Sequence, residues 1–186
     1  MISTAIIDIE TSDLCADRGI ILCAVIQSSI HGQIVFRTDE LNKGWKSGKR
    51  GDDSEITKRI IKCFKEHDVL VAHNGNNFDI PFVRTRGIKW KCEPLLDVKI
   101  VDPCKIAWRK FRLRSNRLGN ISDFIGSPDR KHPLDLSLWM DAILNGTKKS
   151  MDQIVTHCIS DVKELNDVLE MVRPYVKMID GRGSDL

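Results

Sequence analysis

No stretch of the 186-residue sequence approaches the roughly 18 uninterrupted apolar residues of a membrane helix. Internal repeats and low-complexity segments are absent as well, which excludes solenoid and fibrous architectures. The six cysteines form no C-x-x-C pair. Cys15, Cys23, Cys63, Cys92, Cys104 and Cys158 are scattered, with Cys23 in "IILCAVI" and Cys63 in "RIIKCF" inside apolar periodic runs. This arrangement argues against zinc ligation and a disulfide framework, and for reduced thiols packed as small hydrophobes. Strong charge of either sign is missing too: the formal net charge is +3, which identifies no partner by itself. A strand-like run opens the chain and leaves no room for a signal peptide, so a cytoplasmic protein is expected.

What is present is an ordinary globular composition, at a length for which one domain is the default. Residues 1–178 are expected to form that domain, with 179–186 as a flexible tail. Three strand-like runs come first, "TAIIDIE", "IILCAVIQSS" and "GQIVFRT", and imply an antiparallel meander. Residues 40–53, polar and rich in Gly and Lys, read as a loop. Beyond Asp52, Ile56, Ile60, Ile61 and Phe64 recur at helical spacing, and "DVLVAHN" then reads as a short strand buried on both faces. A helix is predicted over "FDIPFVRTRG" with Gly87 at its end, and an edge strand within "PLLDVKIVDP". Asp102 and Pro103 have the types of an N-cap and first position for a helix through Phe111. Helical runs near 117–126 and 134–145, and a long helix from about 150 to 172, complete the chain. The order implies an α/β fold with a central mixed five-stranded sheet: a three-stranded antiparallel meander plus parallel strands, flanked by helices. The first strand belongs near the centre, because its isoleucines need cover on both sides.

The most informative stretch is "IIDIET", residues 6–11. Side chains two apart on a strand share a face, so Asp8 and Glu10 emerge together while Ile7 and Ile9 face the other way. Partly buried carboxylates side by side repel and are poorly hydrated, so something must compensate. Divalent Mg²⁺ or Mn²⁺ ions favour carboxylate oxygens, and a pair of them supplies what phosphodiester hydrolysis needs: an activated water and a neutralised leaving oxygen. Such a site requires further carboxylates from elsewhere in the chain. Asp79 follows "AHNGNNF", where a strand ends, a turn intervenes and a helix begins. It is either a plain helix cap or a ligand at the carboxyl-end crevice of the sheet. In "HCISDV", His157 and Asp161 are four apart on one helical face, as a solvated pair or as part of the same site. His73, at the end of a buried strand, reads as a hydrogen-bonded core histidine or as a site neighbour.

Two basic stretches, "KGWKSGKR" (43–50) and "KIAWRKFRLRSNR" (105–117), are interleaved with Trp45, Trp108 and Phe111. Phosphate contacts combined with base stacking need this composition; a solvated helix face with aromatics turned inward produces the same pattern.

In order and wording, "DIET", "AHNGNNFDIPFV" and "HCISDV" resemble the three exonuclease segments of the DEDD superfamily of 3′–5′ exonucleases, which have a ribonuclease H-like fold. The likeness runs through nearly the whole chain. "DPCKIAWRKFRLRSNRLGNISDFIG" and "LDLSLWMDAI" are similar to the stand-alone and family-B-polymerase-associated branch. The resemblance implies that Asp8, Glu10, Asp79 and Asp161 are the metal-binding carboxylates, with Thr11 beside the 3′-terminal nucleotide and Asn74 and Phe78 lining the channel. One departure stands out. Such families carry Tyr four residues before the last Asp, or His five before it, and here His157 occupies the tyrosine spacing. In the tyrosine branch the hydroxyl orients the attacking water; an imidazole, with an ordinary pKa near 6.5, is expected to act there as general base. The implied activity is release of nucleoside monophosphates from single-stranded 3′ ends with two Mg²⁺ or Mn²⁺ ions, DNA favoured over RNA. No polymerase segment follows within these residues, so proofreading calls for a separate polymerase as partner. An inactive nucleic-acid-binding module of the same fold, an RNA exonuclease and a structure-selective endonuclease are the competing readings.

Overall fold

Strand β1 (Thr4–Thr11) carries apolar side chains on both faces, and the computed structural model covers both. The structure describes residues 2–96, 98–127, 135 and 137–176; the expected tail 179–186 and the start of the 134–145 helical run lie outside them. β1 pairs antiparallel with β2 (Ile21–Ser28), which pairs antiparallel with β3 (Gly32–Arg37). On its other side it pairs parallel with β4 (Val69–Val71), which pairs parallel with β5 (Lys99–Val101). The sheet order is therefore β3-β2-β1-β4-β5, the expected meander and parallel pair with the first strand at the centre. The helices are α1 (Thr38–Leu41), α2 (Ser54–Lys65), α3 (Asp79–Lys89), α4 (Pro103–Lys110), α5 (Leu118–Ile125), α6 (Ser137–Asn145) and α7 (Lys148–Val172).

Side-chain parity sorts the core into two layers. Ile7, Ile9, Ala24, Ile26 and Leu70 pack with Ile56, Ile60 and Phe64 of α2 and with Ile80 and Val83 of α3. Ile6, Val25, Val69 and Val71 pack on the opposite face with Met151, Ile154, Cys158, Val162 and Leu165 of α7. Each large apolar side chain so buried contributes about 1.5–3 kcal/mol. At the end of β1 the register slips: Glu10 opposes Cys23 but Thr11 opposes Ile21, leaving Leu22 as an extra residue. This β-bulge puts the consecutive Leu22 and Cys23 both in the α7 layer and re-aims the chain beside Glu10.

Two local expectations change, and between them one open alternative is decided. The stretch after β3 is not wholly loop, since α1 precedes the turns at 42–51. Within those turns Trp45 is only 2% exposed and joins the α7 layer, so it is core and not a stacking surface. Arg50 is likewise structural: its guanidinium donates to the carbonyls of Leu144 (2.8 Å) and Asn145 (3.0 Å) at the end of α6. Second, α3 runs past Gly87 to Lys89. A Cβ at Gly87 would stand 2.9 Å from Ile61 Cδ1, so the glycine serves close packing of α3 on α2 and does not end the helix.

One buried polar network fixes the segments that lead to and from the end of β1. Asp53, at the start of α2, accepts from Arg86 Nε (2.9 Å) and Nη2 (2.6 Å), from Trp90 Nε1 (2.6 Å) and from the backbone N–H of Ile21 (2.9 Å). Arg86 Nη1 also donates to Ala16 O (3.0 Å), in the loop between β1 and β2. Both charged side chains are essentially solvent-free. Removing one partner of such a pair leaves an uncompensated buried charge, which costs about 3–5 kcal/mol. Asp53→Ala is therefore expected to lower unfolding stability by about that amount in urea denaturation; a loss within experimental error would show that the network carries no net stability.

Candidate active site

Parity puts Asp8 and Glu10 of β1 on the face that α7 covers, and α7 meets them with His157, Cys158 and Asp161. Cys158 is fully buried and donates its thiol to Asp8 Oδ2 (3.2 Å). His157 Nε2 lies 3.9 Å from Glu10 Oε1 and 3.9 Å from Asp161 Oδ2. The His157, Glu10 and Asp161 side chains are 9%, 15% and 8% exposed, so His157 and Asp161 are not a solvated surface pair. Trp139 of α6 packs edge-to-face against the imidazole, with ring centres 6.3 Å apart. One donor atom from each of Glu10, His157 and Asp161 falls within 4.8 Å of the others, a spacing that can hold a metal ion.

Asp79 reaches the same place from the β4–α3 turn. It is the first residue of α3, with Phe78 as N-cap, and is 4% exposed. The backbone N–H groups of Asp79 itself and of Ile9 on β1 favour its charged form, so the carboxylate is turned toward β1 and is more than a helix cap. The turn depends on two unusual backbone positions. A Cβ at Gly75 would lie 2.2 Å from Ala72 Cβ, which only glycine avoids. Asn74 has φ of 61°, a left-handed conformation that Asn tolerates better than most residues. Its backbone N–H donates to Asp102 Oδ1 (2.9 Å), the same oxygen that caps α4 through Cys104 N (3.1 Å).

The electrostatics follow from this crowding. Burial first, then repulsion from Asp161, Glu10 and Asp79, pushes the Asp8 carboxyl well above the usual carboxylate range, while the Cys158 thiol opposes the rise. Burial raises Asp79 to about 7, against the two backbone N–H donors, and Asp102 adds to the rise. Burial, contact with Cys23 and the nearby Asp8 and Glu10 likewise hold the Cys158 thiol in its protonated, donating form. Carboxylates from three chain segments thus bear on one point. The carboxylate oxygens of this set fit a hard divalent cation, whose charge removes the repulsion that burial magnifies.

Asp8, Glu10, Asp79, His157 and Asp161 come together, while the other three expected residues flank them. Thr11 follows Glu10 at the bulge and donates Oγ1 to Asp13 O (2.9 Å). Asn74 is exposed on the turn, and Phe78 is half-buried against Phe82, ring centres 5.7 Å apart. His73 is hydrogen-bonded, Nε2 to Asn116 O at 2.8 Å. Two contributors escape a sequence reading. Cys158 looked like one more core thiol, and Asp102 showed its capping role but not its hold on Asn74, which depends on β4 and β5 being parallel neighbours.

Both raised carboxyls favour folding in their neutral form, and that contribution is lost as pH rises from the unfolded-state value toward the folded one. Without divalent ions, Asp8→Asn is accordingly expected to raise Tm at about pH 8, by about 2–4 °C per kcal/mol of relieved repulsion. Near pH 4 the same variant should melt like the parent protein. Equal Tm values for the two proteins in EDTA at both pH values would contradict the repulsion.

The fold matches the family B DNA polymerase of the hyperthermophilic archaeon Pyrobaculum calidifontis with a TM-score of 0.74 over 94% of this chain and 25% of that one, at 15% identity. In sequence, the chain is 41% identical over 70 residues to a DNA polymerase III PolC-type of Ureaplasma parvum, covering 38% of this chain and 5% of that protein. It is 34% identical over 90 residues to the PolC-type polymerase of Mycoplasma genitalium, covering 48% of this chain and 6% of that protein. The chain thus spans only a small part of these relatives, and they bear out the likeness to DEDD-type exonucleases of ribonuclease H-like fold. A family described as the RNase_H superfamily matches residues 5–173, nearly all of the sequence, and the chain belongs to it.

Proposed function

We propose that this protein is a metal-dependent 3′–5′ exonuclease that releases nucleoside monophosphates from single-stranded 3′ ends, with DNA favoured over RNA. The observation that carries the reading is the convergence of Asp8, Glu10, Asp79 and Asp161 from three separate segments beside His157, within a chain of the RNase_H superfamily. The polymerase relatives support DNA as substrate and a polymerase as partner. Residues 1–178 act as one nuclease domain in the cytoplasm, with 179–186 as an appended tail.

Each side chain then has a task. Asp8, Glu10, Asp79 and Asp161 hold the cations, two Mg²⁺ or Mn²⁺. When bound, these ions supply Lewis-acid chemistry, making water nucleophilic at neutral pH and neutralising charge at the phosphoryl group. His157 Nε2, between Glu10 and Asp161, is the atom that takes the proton from the attacking water. The edge-on Trp139 and the surrounding carboxylates limit the ring's rotation. Thr11 sits at the bulge to meet the terminal nucleotide, and Asn74 and Phe78 line its path from the turn that presents Asp79.

A 5′-labelled single-stranded oligonucleotide incubated with Mg²⁺ or Mn²⁺ is expected to shorten one nucleotide at a time from its 3′ end, and to stay intact in EDTA. Asp8→Ala and Asp161→Ala should each reduce the rate by more than the ~10–100-fold that loss of an outer-shell partner costs. His157→Ala should lose about 10²–10⁴-fold, while His157→Tyr retains activity. Shortening from the 5′ end, nicking of a closed circle, or full activity of Asp161→Ala would each refute the assignment.

A further inference from the structure

The second basic stretch of the sequence folds into a feature separate from the carboxylate cluster. Between α4 and α5 lies a groove of about 520 Å³ lined by Arg114, Ser115, Arg117, Leu118, Gly119 and Asn120. Its floor is open: a Cβ added at Gly119 would meet nothing within 4 Å. Arg112, Arg114 and Arg117 are all exposed, and among the described residues none of them pairs with a carboxylate. Arg114 instead donates Nε to Asn120 Oδ1 (2.8 Å), and Asn120 Nδ2 donates to Ser115 O (2.7 Å). These two bonds brace the loop, and Arg114 as a residue stays exposed. On the flanking helices Trp108 of α4 and Phe124 of α5 are 71% and 72% exposed.

The groove is tied directly to the turn that carries Asp79. His73 Nε2 is bonded to Asn116 O, in the middle of the groove-forming loop, and Asp102 joins the N-terminus of α4 to Asn74 N. The loop carrying Arg114 and Arg117 thus adjoins the turn that carries Asn74 and Asp79. Electrostatics calls for such an element. The carboxylate cluster repels a polyanion, and only charge outside the cluster can draw the strand in and hold the part of it that is not reacting.

We propose that the Arg114–Asn120 groove is a phosphate-holding subsite for the single-stranded nucleic acid upstream of the end that is cut, so that the protein grips long strands in preference to very short ones. The location of the cut end rests on the nuclease reading; the groove's affinity for phosphate does not. The two are separated by measuring binding without divalent ions. Fluorescence anisotropy in EDTA would follow labelled oligothymidylates of about 16 and about 3 nucleotides over a salt series. Each phosphate neutralised on a single strand contributes about 0.7 to the salt slope. The double variant Arg114→Gln, Arg117→Gln is expected to bind the long strand at least about tenfold more weakly and to lose about 1.4 from the slope, while the short oligonucleotide, with no divalent ion to hold its end, binds far more weakly than the long strand to the parent protein. Arg117→Gln alone, which breaks no side-chain hydrogen bond among the described residues, should lose about half of that slope, and the double Lys variant should recover most of the affinity. Unchanged long-strand binding by the double Gln variant, equally tight binding of both lengths by the parent protein, or no recovery with Lys would overturn the proposal. Absence of cleavage by the parent protein would instead remove the nuclease reading and leave the groove in place.

Discussion

Charge repulsion at the end of the central strand is the constraint around which this molecule is arranged. Asp8 lies two residues from the core Ile6 on the same face of β1, and it feels Glu10, Asp79 and Asp161 through a medium that water barely screens. No packing arrangement alone makes four carboxylates comfortable there. The chain nevertheless gathers them, from β1, from the start of α3 and from the middle of α7. It also adds a buried thiol that can only donate to one of them. Concentrating like charge at this cost is what the proposed binding of a cation would offset.

The rest of the structure can be understood as holding that point steady. The β-bulge at Leu22 ends the regular pairing beside Glu10, and the Asp53–Arg86 pair fixes both the loop leaving β1 and the body of α3. Asp102 links the end of β5 to the turn after β4, so the segment carrying Asp79 is anchored on two sides. The long α7 contributes the largest share of one core layer and also the histidine and last aspartate, which makes burial of its apolar face and placement of its polar face a single event.

Much of this was legible in the residues themselves. Period-two alternation in "TAIIDIE" fixes which side chains share a face, and the four-residue step from His157 to Asp161 puts both on one side of a helix. The central place of β1 follows from isoleucines that need cover on both faces, whereas the convergence of distant motifs came from likeness to a family; spacing alone left Asp79 as either cap or ligand. What the sequence could not show is tertiary. Trp45 carries the same basic neighbours as Trp108, yet one is core and the other exposed, because only the first sits in a turn folded back under α6. Gly87 has the type of a helix terminator, and its use is instead set by the approach of Ile61. Asp53 and Arg86, separated by 33 positions, give no local sign that they meet.

The direct measurement is X-ray diffraction from crystals soaked in Mn²⁺, recorded at a wavelength where manganese scatters anomalously. Anomalous density bounded by the carboxylates of Asp8, Glu10 and Asp161 is the predicted result. A well-ordered crystal at saturating Mn²⁺ with no such density among these side chains would contradict it.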